Sequence, residues 1–158
     1  MLEHLTASYA EYPAANITVM RNRMRKELFE GDASRFESSV KELFSHIPYQ
    51  LHIPREAYYH SLLLLWLKLL GFEVQGEVST NLGRIDAVWT WDSRVIVAEV
   101  KYAAEGRPED LAEAALRQIS EKKYYEPFMS PGKKVSLLAA GFAGREIACR
   151  IVDLCIEE

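Results

Sequence analysis

The segment 94–103, Arg-Val-Ile-Val-Ala-Glu-Val-Lys-Tyr-Ala, constrains the fold more than any other part of the chain. It is rich in Val and Ile and reads as a strand. Side chains two apart on a strand point to the same face. Val95, Val97, Glu99 and Lys101 therefore share one stripe, in which a carboxylate and an ammonium continue an apolar row. Buried charges are costly unless they are paired or hold a metal. The stripe thus predicts a covered sheet with a polar centre set into one face. The preceding strand reads Gly83-Arg-Ile-Asp-Ala-Val-Trp89, and a tight hairpin about Ser93 would leave Asp86 and Glu99 about equally far from the turn. Two carboxylates and a lysine on one patch suit a hard divalent cation such as Mg²⁺. Such an ion polarises a phosphate and acidifies a bound water. The lysine can hold that water or neutralise charge in the transition state.

The remaining segments supply the layers that cover such a sheet. Residues 1–54 read as helical. The stretch 14–29 ends in an alternation of basic and apolar positions (Val19, Met20, Met24, Leu28, Phe29), and Gly31 stops it. Ser34-Arg-Phe-Glu37 fits a capping box, and Phe36, Val40, Leu43 and Phe44 then fall on one helical face. Pro48 and Pro54 bracket a loop. In 55–70 apolar residues cover most of the helical circumference, which predicts burial on several sides, and Gly71 ends the helix. Strand and hairpin signals follow at 72–80, 83–92 and 94–103, separated by Asn-Leu-Gly and Asp-Ser. Residues 108–125 read as a helix with Pro, Glu and Asp in its first turn and Lys122 and Lys123 in its last. Pro131-Gly132 marks a turn, 134–142 reads as a buried parallel strand, and 146–154 as a last strand. The class is α/β. Residues 1–54 form an N-terminal helical extension, and 55–158 a core of helix, three-strand meander, helix and strand.

Composition narrows the functions. With 158 residues, the chain is about one domain long and can bury a core without staples. Its net charge of −4 argues mildly against non-specific coating of DNA, though a local basic patch remains compatible with it. Two cysteines, Cys149 and Cys155, are too few for a disulfide scaffold and suggest a reducing compartment. His4, His46 and His52 lack metal-ligand spacing with them, which argues against zinc. The longest apolar run, 62–67, is six residues, far short of a membrane span. The start, Met-Leu-Glu-His, lacks a signal-peptide pattern. The expected location is the cytoplasm, with no membrane partner.

Asp86, a short gap, then Glu99-Val-Lys101 resembles the PD-(D/E)XK nuclease superfamily, and the element order is similar to that superfamily's restriction-endonuclease-like core. A closer resemblance is to a bacterial subfamily in which this domain lies C-terminal to an AAA-type ATPase-like domain. It rests on Phe44-Ser-His-Ile-Pro-Tyr49, Glu56-Ala-Tyr-Tyr-His-Ser61, Gly83-Arg-Ile-Asp86, Glu99-Val-Lys101, Gln118-Ile-Ser-Glu-Lys-Lys-Tyr124 and Gly132-Lys-Lys-Val135, spanning roughly residues 12–155. The resemblance implies that Asp86 and Glu99 ligate Mg²⁺ or Mn²⁺, with the Val100 carbonyl as a further ligand. It implies that Lys101 positions the attacking water or stabilises the phosphorane, that Glu56 touches metal through water, and that Gln118 is similar to a glutamine of exonuclease-like branches. The implied activity is hydrolysis of DNA by a metal-activated water, leaving a 5′-phosphate. Residue 85 is Ile where the motif name calls for Pro, and the spacing from Gln118 to Tyr124 exceeds that of the exonuclease pattern. No Gly-x-x-x-x-Gly-Lys-Ser/Thr loop occurs, so an ATPase domain would act from elsewhere, in cis or in trans.

Each of these residues also has a plainer reading. Asp86 can cap a turn or pair with Arg84, while Glu99 and Lys101 can form a surface ion pair. Arg84 can instead hold a phosphate. Glu56 and His60, one turn apart on one helix face, can sit at the site's rim, or be a dipole-favoured acid and a satisfied histidine. Glu77 reads as solvated rather than as a further metal ligand. Gln118 can contact DNA or the strand carrying Glu99. Lys122, Lys123, Lys133 and Lys134 can form a phosphate-binding edge or a solvated face. Trp66, Trp89 and Trp91 read as packing residues. Two other functions stay open: an inactive nuclease-fold module that binds nucleic acid or a partner protein, and a dimerisation domain using apolar residues of the N-terminal helices, so that a homodimer is compatible with the sequence.

Overall fold

The computed structural model describes residues 14–69, 71–80, 83–91 and 93–154, with backbone alone at 14–15 and 77–80. Residues 81–82 and 92, the Glu77 side chain, His4 and Cys155 lie outside the described set. Helices α1 (Ala14–Glu30), α2 (Ala33–Ser45) and α3 (Glu56–Leu69) precede strands β1 (Glu73–Thr80), β2 (Gly83–Trp91) and β3 (Arg94–Ala103). Helix α4 (Pro108–Lys122) crosses to β4 (Lys134–Ala143), which leads to β5 (Glu146–Leu154). The sheet order is β1-β2-β3-β4-β5. β1 to β3 form an antiparallel meander, β4 runs parallel to β3, and β5 returns antiparallel.

Both faces of the sheet are covered, which explains the near-continuous burial of β3 from Arg94 to Val100. Ile96, Ala98 and Val100 face a core shared with Met24 and Leu28 of α1, Phe36 and Val40 of α2, and Tyr59 and Leu67 of α3. Val95 and Val97 face a second core with Ile119 of α4, Val135 and Leu137. Glu99 and Lys101 continue that second stripe. The first core draws on residues from both sides of position 54.

Three local expectations are corrected. The cap of α2 is Asp32, not Ser34: its carboxylate accepts from the Arg35 N–H at 3.0 Å, directly after Gly31 turns the chain at φ +70°. Glu37 is thereby freed from any capping box, and its Oε2 accepts from the Cys149 N–H of the edge strand at 3.0 Å. In α3 only Tyr59, Leu63 and Leu67 are buried, one stripe rather than several faces, while Leu65 and Leu69 are about half exposed at 48% and 52%. The helix covers one end of a sheet already shielded by α1 and α2, so it has one inward side. At the end of α4 the helix stops at Lys122, short of Tyr125, because Lys123 turns left-handed at φ +51°.

A partly buried ionic cluster ties α1 to the far end of the sheet. Arg94 Nη1 donates to Leu28 O, Ser136 Oγ and Asp153 Oδ1 at 3.0, 3.0 and 3.1 Å. Lys134 Nζ lies 2.8 Å from Asp153. Burial alone would raise the Asp153 carboxyl, but the hydrogen bonds from Lys134 and Ser136 and the charge of Arg94 outweigh it and hold the pKa below the usual range. An acid held below its unfolded value stabilises at neutral pH and loses that contribution as pH falls through the folded pKa. We expect Arg94→Met to cost about 2 kcal/mol near pH 7, with the gap to wild type narrowing in urea melts below about pH 4. An unchanged midpoint at pH 7 would remove the cluster's structural role.

Candidate active site

The β2–β3 ladder runs from Trp91↔Arg94 to Ala87↔Ala98, so Asp86 and Glu99 are the next positions outward. The pairing stops there. Asp86 turns its carboxylate across the gap, and Oδ2 accepts from the Val100 N–H at 2.8 Å. The alternation of β2 also slips at this point: Ile85 and Val88, three apart, both enter the second core. The N–H and C=O of one strand residue point the same way, so the Val100 carbonyl faces the same opening.

Glu99 is 4% exposed. Its Oε1 accepts a short hydrogen bond from Gln118 Nε2 of α4 and lies 3.6 Å from Lys101 Nζ. Its Oε2 is buried with no partner among the described residues. Burial, then the nearby Asp86 charge, push the Glu99 pKa up to about 7; Lys101 offsets this in part, and Glu56 adds a smaller push. Opposite Lys101, β4 carries Gly141, against which the start of α4 packs. His60 of α3 meets the Asp86 carbonyl at 2.9 Å through Nε2, on the other face of the sheet.

Asp86, Glu99, Val100, Lys101 and Gln118 are thus brought together. Glu56 is exposed at the start of α3 and reaches the centre only through its charge. His60 anchors Asp86 through the backbone. Arg84 is exposed, and no ion pair to Asp86 forms. The proposed lysine edge is dispersed: Lys123 lies 3.2 Å from Glu126, Lys134 pairs with Asp153, and Lys122 and Lys133 are exposed. Lys134 sits opposite Arg94, at the strand end seven residues from Lys101 and about 23 Å away. Trp89 is buried, and Trp66 and Trp91 are half-buried.

Among the described residues, no group of three or more His, Cys, Asp and Glu is placed to cage a metal. The donors present still fit a hard divalent cation. Mg²⁺ is commonly held by one or two carboxylates together with water and substrate phosphate. A buried carboxylate oxygen without a partner, beside a second carboxylate that raises its pKa, is an arrangement that a cation would relieve.

The match to the PD-(D/E)XK nuclease superfamily spans residues 54–150, and the chain belongs to that superfamily. The chain is also 29% identical over 148 residues to a protein of Azotobacter chroococcum mcd 1 described as an uncharacterized protein in the vnfD 5′ region. That alignment covers 89% of this chain and 27% of the relative. The chain therefore spans about a quarter of the relative's length. No helix among the described residues is long and apolar enough to cross a membrane.

Proposed function

We propose that the chain is a Mg²⁺- or Mn²⁺-dependent nuclease that hydrolyses phosphodiester bonds of DNA. The observation that carries this is Glu99: buried, one oxygen unpartnered, its pKa raised to about 7 beside Asp86, inside a superfamily of nucleases. Asp86, Glu99 and the Val100 carbonyl would hold the cation, which supplies Lewis-acid polarisation of the phosphate and a more acidic water when bound. The chain's own groups do the rest. The Lys101 side chain, 29% exposed, reaches from the Glu99 oxygen toward solvent, where its Nζ can orient a water or a phosphate oxygen. Gln118 fixes the Glu99 rotamer, leaving Oε2 for the ion. Glu56 acts at longer range on the same charge balance. Net hydrolysis adds water across the P–O3′ bond and yields a 5′-phosphate and a 3′-hydroxyl.

Mn²⁺ calorimetry and cleavage of a supercoiled plasmid, on wild type and Asp86→Asn, test this reading. Wild type should bind and cleave. The variant should lose at least about 10-fold in affinity and about 10³-fold in rate, as expected for removing a charge-stabilising ligand. Equal cleavage by both would overturn the assignment of Asp86. DNA binding without cleavage by wild type would favour the inactive docking module.

The greater length of the Azotobacter relative is compatible with work beside another module, and we propose an ATPase-like domain, in cis or in trans, as that neighbour. Cys149 is free and buried, which agrees with a reducing compartment such as the cytoplasm.

A further inference from the structure

The hairpin joining β4 and β5 turns just beyond the strand end that carries Lys101 and presents one arginine in a prepared posture. Ala143 pairs with Glu146, leaving Gly144 and Arg145 as the two-residue loop. Two long-range hydrogen bonds fix that loop. Gly144 N–H donates to Ala103 O at the end of β3 at 2.8 Å, and Tyr59 Oη of α3 donates to Gly144 O at 2.7 Å. Gly144 itself is at φ +56°, a conformation glycine adopts without strain. The Arg145 side chain is exposed and lies with Cζ 4.8 Å from the centroid of the Tyr49 ring, itself 68% exposed. The described residues offer Arg145 no ion-pair partner, unlike Arg23, Arg35, Arg94 and Arg107 but like Arg84 and Arg117, and what sets Arg145 apart is its seat over the Tyr49 ring.

An exposed guanidinium held over an aromatic face keeps its N–H fork free while losing little rotamer entropy on binding. Such a group suits a planar-fork contact to phosphate. Its position suits a strand lying in the site. Arg145 follows by four residues the Gly141 that pairs with Lys101, about 13 Å along the sheet. That is about four nucleotides at 3.4 Å each.

We infer that Arg145, braced by Tyr49, grips a backbone phosphate of DNA about four nucleotides from the bond at Lys101. This rests on the DNA reading above and adds a contact that neither motif nor spacing indicated. The charge complementarity is local: a chain of net charge −4 has no general attraction for DNA, so binding must depend on a few placed cations.

The test is anisotropy of a fluorescein-labelled 20-base-pair duplex and its single strand, in EDTA, across a salt series. The proteins are wild type, Arg145→Ala, Arg145→Lys, Tyr49→Ala and, as a control far from the site, Lys133→Ala. Arg145→Ala should weaken binding about 3- to 10-fold and lower the slope of log Kd against log salt by about 1. Arg145→Lys should keep the slope and lose part of the affinity. Tyr49→Ala should weaken binding about 2-fold with the slope kept. Lys133→Ala should match wild type. Wild-type binding with Arg145→Ala unchanged in both affinity and slope overturns the inference and leaves the nuclease reading standing. No wild-type binding to either probe overturns both. Unchanged melting temperatures for the variants would show that the losses are not unfolding.

Discussion

Glu99→Gln is expected to move stability and activity in opposite directions. Without divalent metal the Glu99 carboxyl is buried beside Asp86, which pushes its pKa up to about 7 from the ordinary 4.5. Between those values the folded state holds a proton that the unfolded chain has released. Stability therefore falls as pH rises from about 4.5 to 7 and levels off above. At 1.4 kcal/mol per unit the full effect is roughly 3 kcal/mol, an upper figure because water and side chains relax around a buried charge. Glutamine carries no such penalty and can still accept from Gln118 and Lys101 through its carbonyl oxygen. At pH 8 and without divalent metal, Glu99→Gln should be about 1–3 kcal/mol more stable than wild type in urea, and at pH 4.5 nearly equal to it. Cleavage with Mg²⁺ should drop about 10³-fold or more, since an ionised ligand and its electrostatic contribution are both gone. Adding Mn²⁺ should stabilise wild type and leave the variant unmoved. A variant less stable than wild type at pH 8 would mean that the carboxylate is a structural ion pair with Lys101 and not a strained ligand.

The same conflict between charge and burial makes the candidate site legible in the sequence. Charge in an apolar stripe is a local conflict, and Val95, Val97, Glu99 and Lys101 display it within one strand, where periodicity alone assigns the face. The hairpin arithmetic about Ser93 brought in Asp86, because a two-residue connection fixes register. Gln118 entered through resemblance; nothing in the helix pattern says that it meets Glu99. What stayed hidden depends on relations between distant segments. Tyr49 and Arg145 meet because α3 and the β4–β5 hairpin are bonded through Tyr59 and Gly144, and neither residue carries a spacing signal. The lysine edge failed in part for the same reason: Lys134 finds Asp153 on the neighbouring strand, while Lys123 pairs locally with Glu126 three residues on. The α2 cap was misplaced by two residues because Asp32 and Ser34 are both good caps, and the left-handed Gly31 decides between them. The burial of α3 was overstated because apolar composition does not report how many neighbours a helix has.

Gly141→Ala should be the most damaging single methyl in the protein. Gly141 lies on β4 directly beside Lys101, and α4 begins against it. A Cβ there would run into the Pro108 carbonyl oxygen and the Ala112 nitrogen, both backbone, and would come within 2.7 Å of Leu111 Cβ. Helix backbone cannot yield by a rotamer change, so α4 must lift from the sheet. Overpacking of this kind commonly costs 1–3 kcal/mol, and a clash with two backbone atoms puts the expected loss at the top of that range or beyond, about 3–5 kcal/mol. In a domain of this size that is a melting temperature lower by roughly 10 °C. Gly76 gives the matched control. A Cβ there meets Leu64 Cδ1 at 2.8 Å, the far end of a side chain that can turn away, so Gly76→Ala should cost under about 1 kcal/mol. The functional consequence follows from which helix moves. Because α4 carries Gln118, lifting it withdraws the donor from Glu99 and frees that carboxylate to change rotamer. Gly141→Ala should therefore cleave more slowly even well below its melting temperature, and raising Mn²⁺ should restore part of the rate by holding Glu99 in place. A melting temperature within 2 °C of wild type would show that α4 does not seat on β4 as closely as its contacts with Gly141 require.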